Sequence, residues 1–327
     1  MEFNASDATD VLDRPLVSSR AASEAIATPA PTQNTRCPNQ QTLASQIEIQ
    51  GPGLHTGRVA TLKLIPAPVG HGLRFMRTDL KNGARLIFPR ADAVTQTQLC
   101  TLLSNSHGGE VGTIEHLMAA LHAAGITNLL IEIDGPEVPI LDGSSAPFTR
   151  AIAEAGIIHQ AAKQTFLRVI QSVEVREGEK LARLAPHPHG EDTRLTLDFD
   201  IDFSARCIGA QSRSLTLGAA NFADQVSAAR TFGFVTDLTR LRAQGLAQGG
   251  HMGNAIVIDG DEVQNPEGLR FADEFVRHKL LDAVGDLFIE GLPVIGAYTG
   301  VRAGHALTNR LMRKLMANPN SFERVTL

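Results

Sequence analysis

The chain has 327 residues, of which 43% are hydrophobic and 20% charged, the composition of an ordinary globular protein with one large domain or two. A net charge of −5, the absence of Trp and a single Tyr argue against a nucleic-acid-binding protein that relies on phosphate contacts or base stacking. The three cysteines, Cys37, Cys100 and Cys207, lie too far apart for a thiolate metal motif and suggest no disulfide framework. No apolar run reaches the roughly 18 residues of a membrane span, and no secretory signal is evident, so we expect a soluble, cytoplasmic protein. Separately, we expect it to be a monomer.

The first half of the chain predicts a tail followed by an α+β domain. Residues 1–41 are rich in Ala, Ser, Thr and Pro, which is typical of a mobile tail. Alternating apolar residues over 47–49 and 60–65, with a Gly-Pro-Gly turn between them, predict a β-hairpin. A helix is expected over 113–124 with Thr113 as its N-cap, then a strand over 128–133 and a helix over 147–155.

Polar residues over 161–165 interrupt the pattern, and we place a boundary there between a domain of residues 42–162 and one of residues 163–327. The second half repeats the order of the first, with strands over 166–175 and up to about residue 203, then helical segments, then a closing strand over 292–298. The longest helix is expected over 273–289 and has these apolar residues facing inward: Phe275, Leu280, Leu281, Val284, Leu287 and Phe288. This order predicts an α+β fold of two similar domains, each a layered sandwich of sheet and helices, rather than a doubly wound fold.

One helical face combines a histidine with carboxylates. His278 and Asp282 are four residues apart, so both side chains lie on the same side of the predicted helix and can bind one metal ion. Asp286 extends this face by another turn, and a solvated polar stripe without a metal is the open alternative.

Two further motifs place acid–base groups near turns and helix starts. Glu115 directly precedes His116, which is the arrangement of a general base beside a metal ligand, although a Glu near a helix N-terminus also complements the helix dipole. His305 follows a glycine beyond the last predicted strand, where a loop histidine can act as a general acid or lie exposed. Spacing alone leaves these alternatives open.

Taken together, six blocks of sequence resemble the UDP-3-O-acyl-N-acetylglucosamine deacetylases of lipid A biosynthesis. The blocks cover residues 53–57 (GLHTG), 113–117 (TIEHL), 139–144 (PILDGS), 229–234 (ARTFGF), 274–279 (EFVRHK) and 304–307 (GHAL). They occur in the family's order, and the resemblance extends from about Thr42 to Val325. It implies a two-domain zinc enzyme that removes an N-acetyl group from a UDP-linked, acylated glucosamine.

The resemblance assigns roles to individual residues of the chemical site. It implies that His116, His278 and Asp282 bind Zn²⁺, for which Fe²⁺ is the alternative because two nitrogens and one oxygen suit both ions. Glu115 matches the base that activates water, and His305 matches the imidazolium that protonates the leaving amine. The remaining matches are Asp286 as the carboxylate that orients His305, Thr231 as a hydroxyl at the oxyanion, and Lys279 as a cation near the sugar and diphosphate.

The resemblance also implies contacts with both ends of the substrate. Phe203 matches an aromatic residue that stacks on uracil, and Arg302 lies where a basic residue meets the diphosphate. The segment 235–259 matches an insert that forms an apolar passage for the acyl chain. Its expected lining and mouth residues are Leu54, Phe232, Leu238, Ala247, Met252, Ala255 and Val257, for which ordinary core packing is the alternative.

Three other functions compete with this reading. A hydrolase of the same fold with a different acyl-amide sugar as substrate is the nearest enzymatic rival. A catalytically inactive relative that binds lipid or nucleotide is disfavoured because the ligands, base and acid are all present together. A nucleic-acid-binding protein is disfavoured by charge and composition.

Overall fold

A computed structural model describes residues 38–188 and 193–327, and the predicted tail therefore lies almost entirely outside the described residues. Up to residue 163 the strands are β1 (Asn39–Leu43), β2 (Ile47–Pro52), β3 (Val59–Pro66), β4 (Leu73–Arg77), β5 (Leu86–Ile87), β6 (Val94–Gln96), β7 (Leu102–Ser104), β8 (Glu110–Val111), β9 (Leu129–Ile133) and β10 (Ile157–Lys163). The α-helices of this segment are α1 (Glu115–Ala124) and α2 (Ala146–Ala155).

The second segment begins directly after β10. Its strands are β11 (Thr165–Val169), β12 (Val173–Glu177), β13 (Lys180–Ala185), β14 (Leu195–Asp202), β15 (Ala210–Thr216), β16 (Phe232–Phe234), β17 (Ile256–Asp259), β18 (Glu262–Val263), β19 (Val294–Val301) and β20 (Phe322–Thr326). Its helices are α3 (Ala219–Gln225), α4 (Val235–Ala243), α5 (Glu274–Asp286) and α6 (His305–Met316). The mixture of sheets and helices confirms the predicted α+β class.

Each segment has its own main sheet. In the first, five strands lie in the order β2-β3-β9-β4-β5, and β4 runs parallel to β9. In the second, β19 lies at the centre, parallel to β11 and β14 and antiparallel to β13. Every strand pair among the described residues joins strands of the same segment. The division into two domains stays a prediction.

The side-chain periodicity explains why these strands form. In β3, Ala60, Leu62 and Leu64 are buried and alternate with more exposed neighbours, as expected of a strand with one face on the core. All six apolar residues expected to face inward along α5 are fully buried. The hairpin, α1, α2, β9 and α5 therefore confirm the corresponding predictions, although α5 ends at Asp286 and not at residue 289.

Helices α1 and α5 pack against each other at a glycine. A Cβ atom added to Gly285 would lie 2.1 Å from the carbonyl oxygen of Glu115, so only glycine allows this approach. The contact brings the start of α1 close to the second half of α5, and with it the residues that the sequence singled out on both helices.

The insert, residues 235–259, contains α4 and β17, and β17 pairs with β16 and β18, which lie just outside it. Its loop docks on the turn between β2 and β3, where Gly249 N donates to the carbonyl of Leu54 and Gln248 N donates to the carbonyl of His55, each at 3.0 Å. A Cβ on Gly249 would lie 2.2 Å from the carbonyl oxygen of Gly53, so the two backbones are in direct contact. The insert of the second segment is therefore fastened to the first.

Three local predictions were wrong. The first strand among the described residues begins at Asn39, ahead of the predicted start of structure at residue 42, because β1 pairs with β10 and the Gln40 side chain donates to the carbonyl of Lys163. Residues 161–163 belong to β10 and Thr165 begins β11, so only Gln164 lies between the two strands. The strand predicted to close the fold is β19, and α6 and β20 follow it.

Thr113 does not act as the N-cap of α1. Its φ of +54° lies in the left-handed region, whereas an N-cap has an extended backbone. Its hydroxyl donates to Glu137 Oε1 at 2.8 Å, and the helix begins two residues later at Glu115.

Candidate functional site

Three buried side chains from two helices converge on one point. His116 on α1 and His278 and Asp282 on α5 each offer a ligand atom, and these atoms lie within 4.8 Å of one another. Asp282 Oδ1 is 3.4 Å from His278 Nε2 and 3.7 Å from His116 Nε2. All three residues are at least 96% buried, which is too dry a place for a chance cluster of charged groups.

These residues fit a divalent metal ion. Asp282 Oδ1 is buried and has no hydrogen-bond partner, a costly state for a carboxylate oxygen unless a cation binds to it. His278 Nδ1 donates to the carbonyl of Ala229 at 3.1 Å, which leaves Nε2 as the free ligand atom. Burial lowers the pKa of His278 to about 3, so the ring is neutral, as a metal ligand must be.

The Asp282 carboxylate is ionised and has the Lys279 ammonium beside it. Burial by itself would raise the pKa of Asp282, but its polar and charged neighbours, the Lys279 ammonium among them, lower it well below its usual range. Lys279 Nζ donates to Asp282 Oδ2. The structure therefore places Lys279 against a candidate ligand, and its expected contact with the sugar and diphosphate stays a prediction.

His305 lies at the first residue of α6 with its ring held by Asp286. His305 Nδ1 donates to Asp286 Oδ2 at 2.7 Å, and Nε2 points towards the cluster at 3.9 Å from Asp282 Oδ2. Burial lowers the pKa of His305, but the charge of Asp286 and this hydrogen bond outweigh it and raise the pKa to about 9. The ring is therefore an imidazolium at neutral pH.

Glu115 lies near the ring nitrogen of His305 that Asp286 does not bind. Its Oε1 is 3.9 Å from His305 Nε2, and its Oε2 accepts a hydrogen bond from Thr101 N at 3.0 Å. Burial raises the pKa of Glu115 although His305 opposes the shift. A carboxylate and an imidazolium thus face the same space beside the three ligand atoms, as expected of a base and an acid.

A buried ion pair supports the segment next to His278. Arg230 is 1% exposed and donates through Nε to Glu274 Oε1 at 2.9 Å, at the start of α5. It is flanked by Ala229, whose carbonyl holds His278, and by Thr231. Phe232 also contacts the His278 ring, with centroids 6.1 Å apart. Thr231 lies between Arg230 and Phe232 in the sequence, and its expected role at the oxyanion stays a prediction.

The two residues expected to contact the nucleotide, Phe203 and Arg302, differ in their burial and in their partners. Phe203 is half-buried and packs edge-on against Phe232, with centroids 5.6 Å apart. Arg302 is exposed and pairs with both Glu179 and Asp202, so its guanidinium already has two carboxylate partners. Their contacts with uracil and diphosphate stay predictions.

The expected lining residues are spread over the insert and the turn that it docks on. Leu238 on α4, Val257 on β17, Ala255 and Leu54 are half-buried, while Ala247 is buried and Met252 is 44% exposed. Leu54 approaches the insert at Gly250, where an added Cβ would lie 3.4 Å from Leu54 Cδ1. Their roles in acyl-chain binding stay predictions.

Sequence reasoning missed two residues that support this site. Thr101 contacts Glu115, Asp286 and His305, yet it lies in a polar stretch with no motif around it. Glu137 accepts hydrogen bonds from the backbone of His55 and Thr56 and from the Thr113 hydroxyl, each at 2.8 Å, and so joins two of the six blocks. The one available signal was an acidic residue directly after Gly-Pro in an apolar stretch.

An α+β fold with a buried two-nitrogen, one-oxygen cluster beside a carboxylate and an imidazolium is typical of metal-dependent hydrolases. The LpxC family model, described as UDP-3-O-acyl N-acetylglycosamine deacetylase, matches residues 40–317. The chain belongs to this family.

Individual relatives agree with the family model. A UDP-3-O-acyl-N-acetylglucosamine deacetylase of Myxococcus xanthus is 48% identical over 285 residues, covering 87% of this chain and 88% of the relative. Proteins of the same name from Mannheimia succiniciproducens and Phenylobacterium zucineum are both 45% identical. They cover 88% and 86% of this chain and 93% and 95% of their own lengths. No helix in the described part of the chain is long and apolar enough to cross a membrane.

Proposed function

We propose that the protein hydrolyses the N-acetyl amide of UDP-3-O-acyl-N-acetylglucosamine, releasing acetate and the free 2-amino sugar nucleotide, in the committed step of lipid A biosynthesis. The observation that carries this proposal is the buried cluster of His116, His278 and Asp282 directly beside Glu115 and His305. The names of relatives that match over nearly their whole length support the substrate.

His116, His278 and Asp282 would hold Zn²⁺, with Fe²⁺ as the alternative that the same donor atoms accept. When bound, such an ion supplies Lewis acidity and lowers the pKa of a coordinated water towards neutrality. An amide needs both effects, since its carbonyl is a weak electrophile and neutral water a weak nucleophile. Its amine is also a poor leaving group and needs a proton from an acid.

The protein's own groups would move the protons. Glu115 takes a proton from the attacking water at Oε1, the oxygen that faces His305. His305 donates the proton on Nε2 to the departing nitrogen, and Asp286 keeps the ring charged and aligned. The Thr231 hydroxyl donates to the developing oxyanion.

Both ends of the substrate would bind outside this cluster. We propose that Phe203 stacks on uracil and that Arg302 and Lys279 meet the diphosphate and sugar. Leu54, Phe232, Leu238, Ala247, Met252, Ala255 and Val257 would contact the acyl chain, where each buried CH₂ contributes about 0.8 kcal/mol.

The first experiment measures acetate release from UDP-3-O-acyl-N-acetylglucosamine by the zinc-loaded protein and by His278→Ala. We expect turnover in the wild type, and a loss of at least about a thousandfold together with loss of bound zinc in the variant. His107→Ala, which changes an exposed histidine, is the matched control and should turn over normally.

Two results would contradict the proposal. A folded, zinc-loaded wild type without acetate release would exclude this reaction. Equal kcat/KM for UDP-N-acetylglucosamine and for its 3-O-acylated form would instead point to another acyl-amide sugar as the substrate.

We also propose that the protein acts in the cytoplasm as a monomer. The Cys100 and Cys207 thiols are free, which suits a reducing compartment. Cell fractionation and a sedimentation measurement of mass would test the two statements separately.

A further inference from the structure

Thr101 lies where both acid–base groups of the site are held. It is 3% exposed and occupies the last position before β7. Its backbone N donates to Glu115 Oε2 at 3.0 Å, and its hydroxyl donates to Asp286 Oδ1 at 2.7 Å. One residue thus contacts the expected base and the carboxylate partner of the expected acid, which come from two different helices.

The hydroxyl completes the hydrogen bonding of the Asp286 carboxylate. Asp286 Oδ2 accepts from His305 Nδ1 at 2.7 Å, and Oδ1 accepts from Thr101. With both oxygens occupied, the carboxylate cannot rotate about its Cβ–Cγ bond without losing a hydrogen bond in a buried place. The same hydroxyl oxygen lies 3.3 Å from His305 Nδ1, so it also limits the tilt of the ring.

We propose that Thr101 is a positioning residue for the reaction, and that its hydroxyl sets the turnover rate through Asp286 and His305 while leaving substrate binding unchanged. This inference rests on the proposed function. The side-chain partners of Thr101 are Glu115, Asp286 and His305 and not the candidate ligands. It acts by keeping the donor nitrogen of His305 aimed at the reaction space.

Substitution can separate the backbone contact of Thr101 with Glu115 from the contact of its hydroxyl with Asp286. Thr101→Val keeps the branched shape and the backbone N–H to Glu115 but removes the hydroxyl. Thr101→Ser keeps the hydroxyl and removes only a methyl group. The matched control is Thr127→Val, because Thr127 is also buried and its hydroxyl donates to Gln164 Oε1 at 2.7 Å, outside the acid–base cluster.

Steady-state kinetics of the zinc-loaded proteins provide the first test. For Thr101→Val we expect kcat to fall by about 10–100-fold with an almost unchanged KM, as is common when a partner of a site residue is lost. Thr101→Ser should recover most of kcat, and Thr127→Val should lose thermal stability but not kcat. A Thr101→Val protein with wild-type kcat, or a Thr101→Ser protein as slow as Thr101→Val, overturns the proposal.

A second measurement does not depend on the reaction. The proton on His305 Nδ1 should give a downfield NMR signal in ¹⁵N-histidine-labelled protein, identified by its absence in His305→Gln. In Thr101→Val we expect this signal to broaden or to exchange faster with water, because Asp286 is less firmly held. If the wild type does not deacetylate the substrate, the proposed function fails, and an unchanged signal in Thr101→Val then separately overturns the positioning role.

Discussion

Burial raises the pKa of an acidic site residue and lowers that of a histidine, and charged partners decide the final protonation state. It raises the pKa of Glu115 and lowers that of His278 to about 3, in each case favouring the neutral form. His305 is buried too, but Asp286 is close enough to raise its pKa to about 9. The same dry environment therefore contains a neutral histidine suited to a metal and a charged histidine suited to donating a proton.

The raised pKa of His305 predicts a pH-dependent stability of the metal-free protein. Its folded pKa of about 9 exceeds the reference value of 6.5. The stabilisation is therefore complete below pH 6.5 and is lost as the pH rises through 9. The free energy of unfolding of the wild type minus that of His305→Gln should fall by about 3 kcal/mol over this interval, when measured by urea unfolding at several pH values.

Subtracting the unfolding free energy of His305→Gln from that of the wild type cancels the contribution of every other titrating group that both proteins share. Burial also raises the pKa of the Cys100 thiol, to about 12, but this group is present in both proteins. A difference that stays constant or grows with pH would contradict the charged state of His305.

At the scale of elements, the site depends on how closely α1 approaches α5. His116 and Glu115 lie at the start of α1, while His278, Asp282 and Asp286 lie along α5 at a spacing of four residues. Each helix alone presents only part of the cluster. Gly285 allows the contact because its missing side chain leaves room for the Glu115 carbonyl.

Gly285→Ala should separate the two helices and destabilise the protein. Alanine favours a helix over glycine by about 1 kcal/mol, yet the added Cβ would lie 2.1 Å from backbone that cannot move freely. We expect a net loss of about 1–3 kcal/mol in the free energy of unfolding, measured with denaturant, and weaker zinc binding.

Gly233→Ala is the control for this change. Gly233 is exposed in β16 and has no atom within 4 Å of an added Cβ, so its substitution should alter stability by no more than about 0.5 kcal/mol. A Gly285→Ala protein as stable as the wild type would show that the helices can adjust without cost.

At the scale of the whole molecule, the site joins the two segments of the chain. His116 comes from the first segment and the other two candidate ligands from the second. The insert adds a second link because its loop is hydrogen-bonded to the turn between β2 and β3. A metal ion bound by all three ligands would therefore stabilise the arrangement of both segments.

Zinc should accordingly raise the melting temperature of the metal-free protein. At a free zinc concentration about a thousandfold above Kd, binding adds about 4 kcal/mol to the free energy of unfolding. Calorimetry with and without zinc should show this increase in the wild type and in His107→Ala. The rise in melting temperature should be strongly reduced in His116→Ala. A rise as large as that of the wild type in this variant would show that zinc binds at another site.

Local patterns were enough to predict much of the fold. The alternation in β3, the four buried apolar positions predicted within α5 and the spacing of His278 and Asp282 depend on residues close together in sequence, whose period reports which face is buried. The family blocks likewise identified the residues that now lie in one cluster. The periodicity and the residue spacing are properties of a single strand or helix and exist before it packs against other elements.

Other features were decided only by tertiary structure, because their partners are far away in the chain. The polar segment 39–42 forms a strand since β10 supplies its hydrogen bonds, and Thr113 takes a left-handed φ while its hydroxyl bonds to Glu137. Thr101 meets Asp286 across 185 residues of sequence. No local period signals such a contact, so only the packing of α1 against α5 reveals which threonine holds the acid–base pair in place.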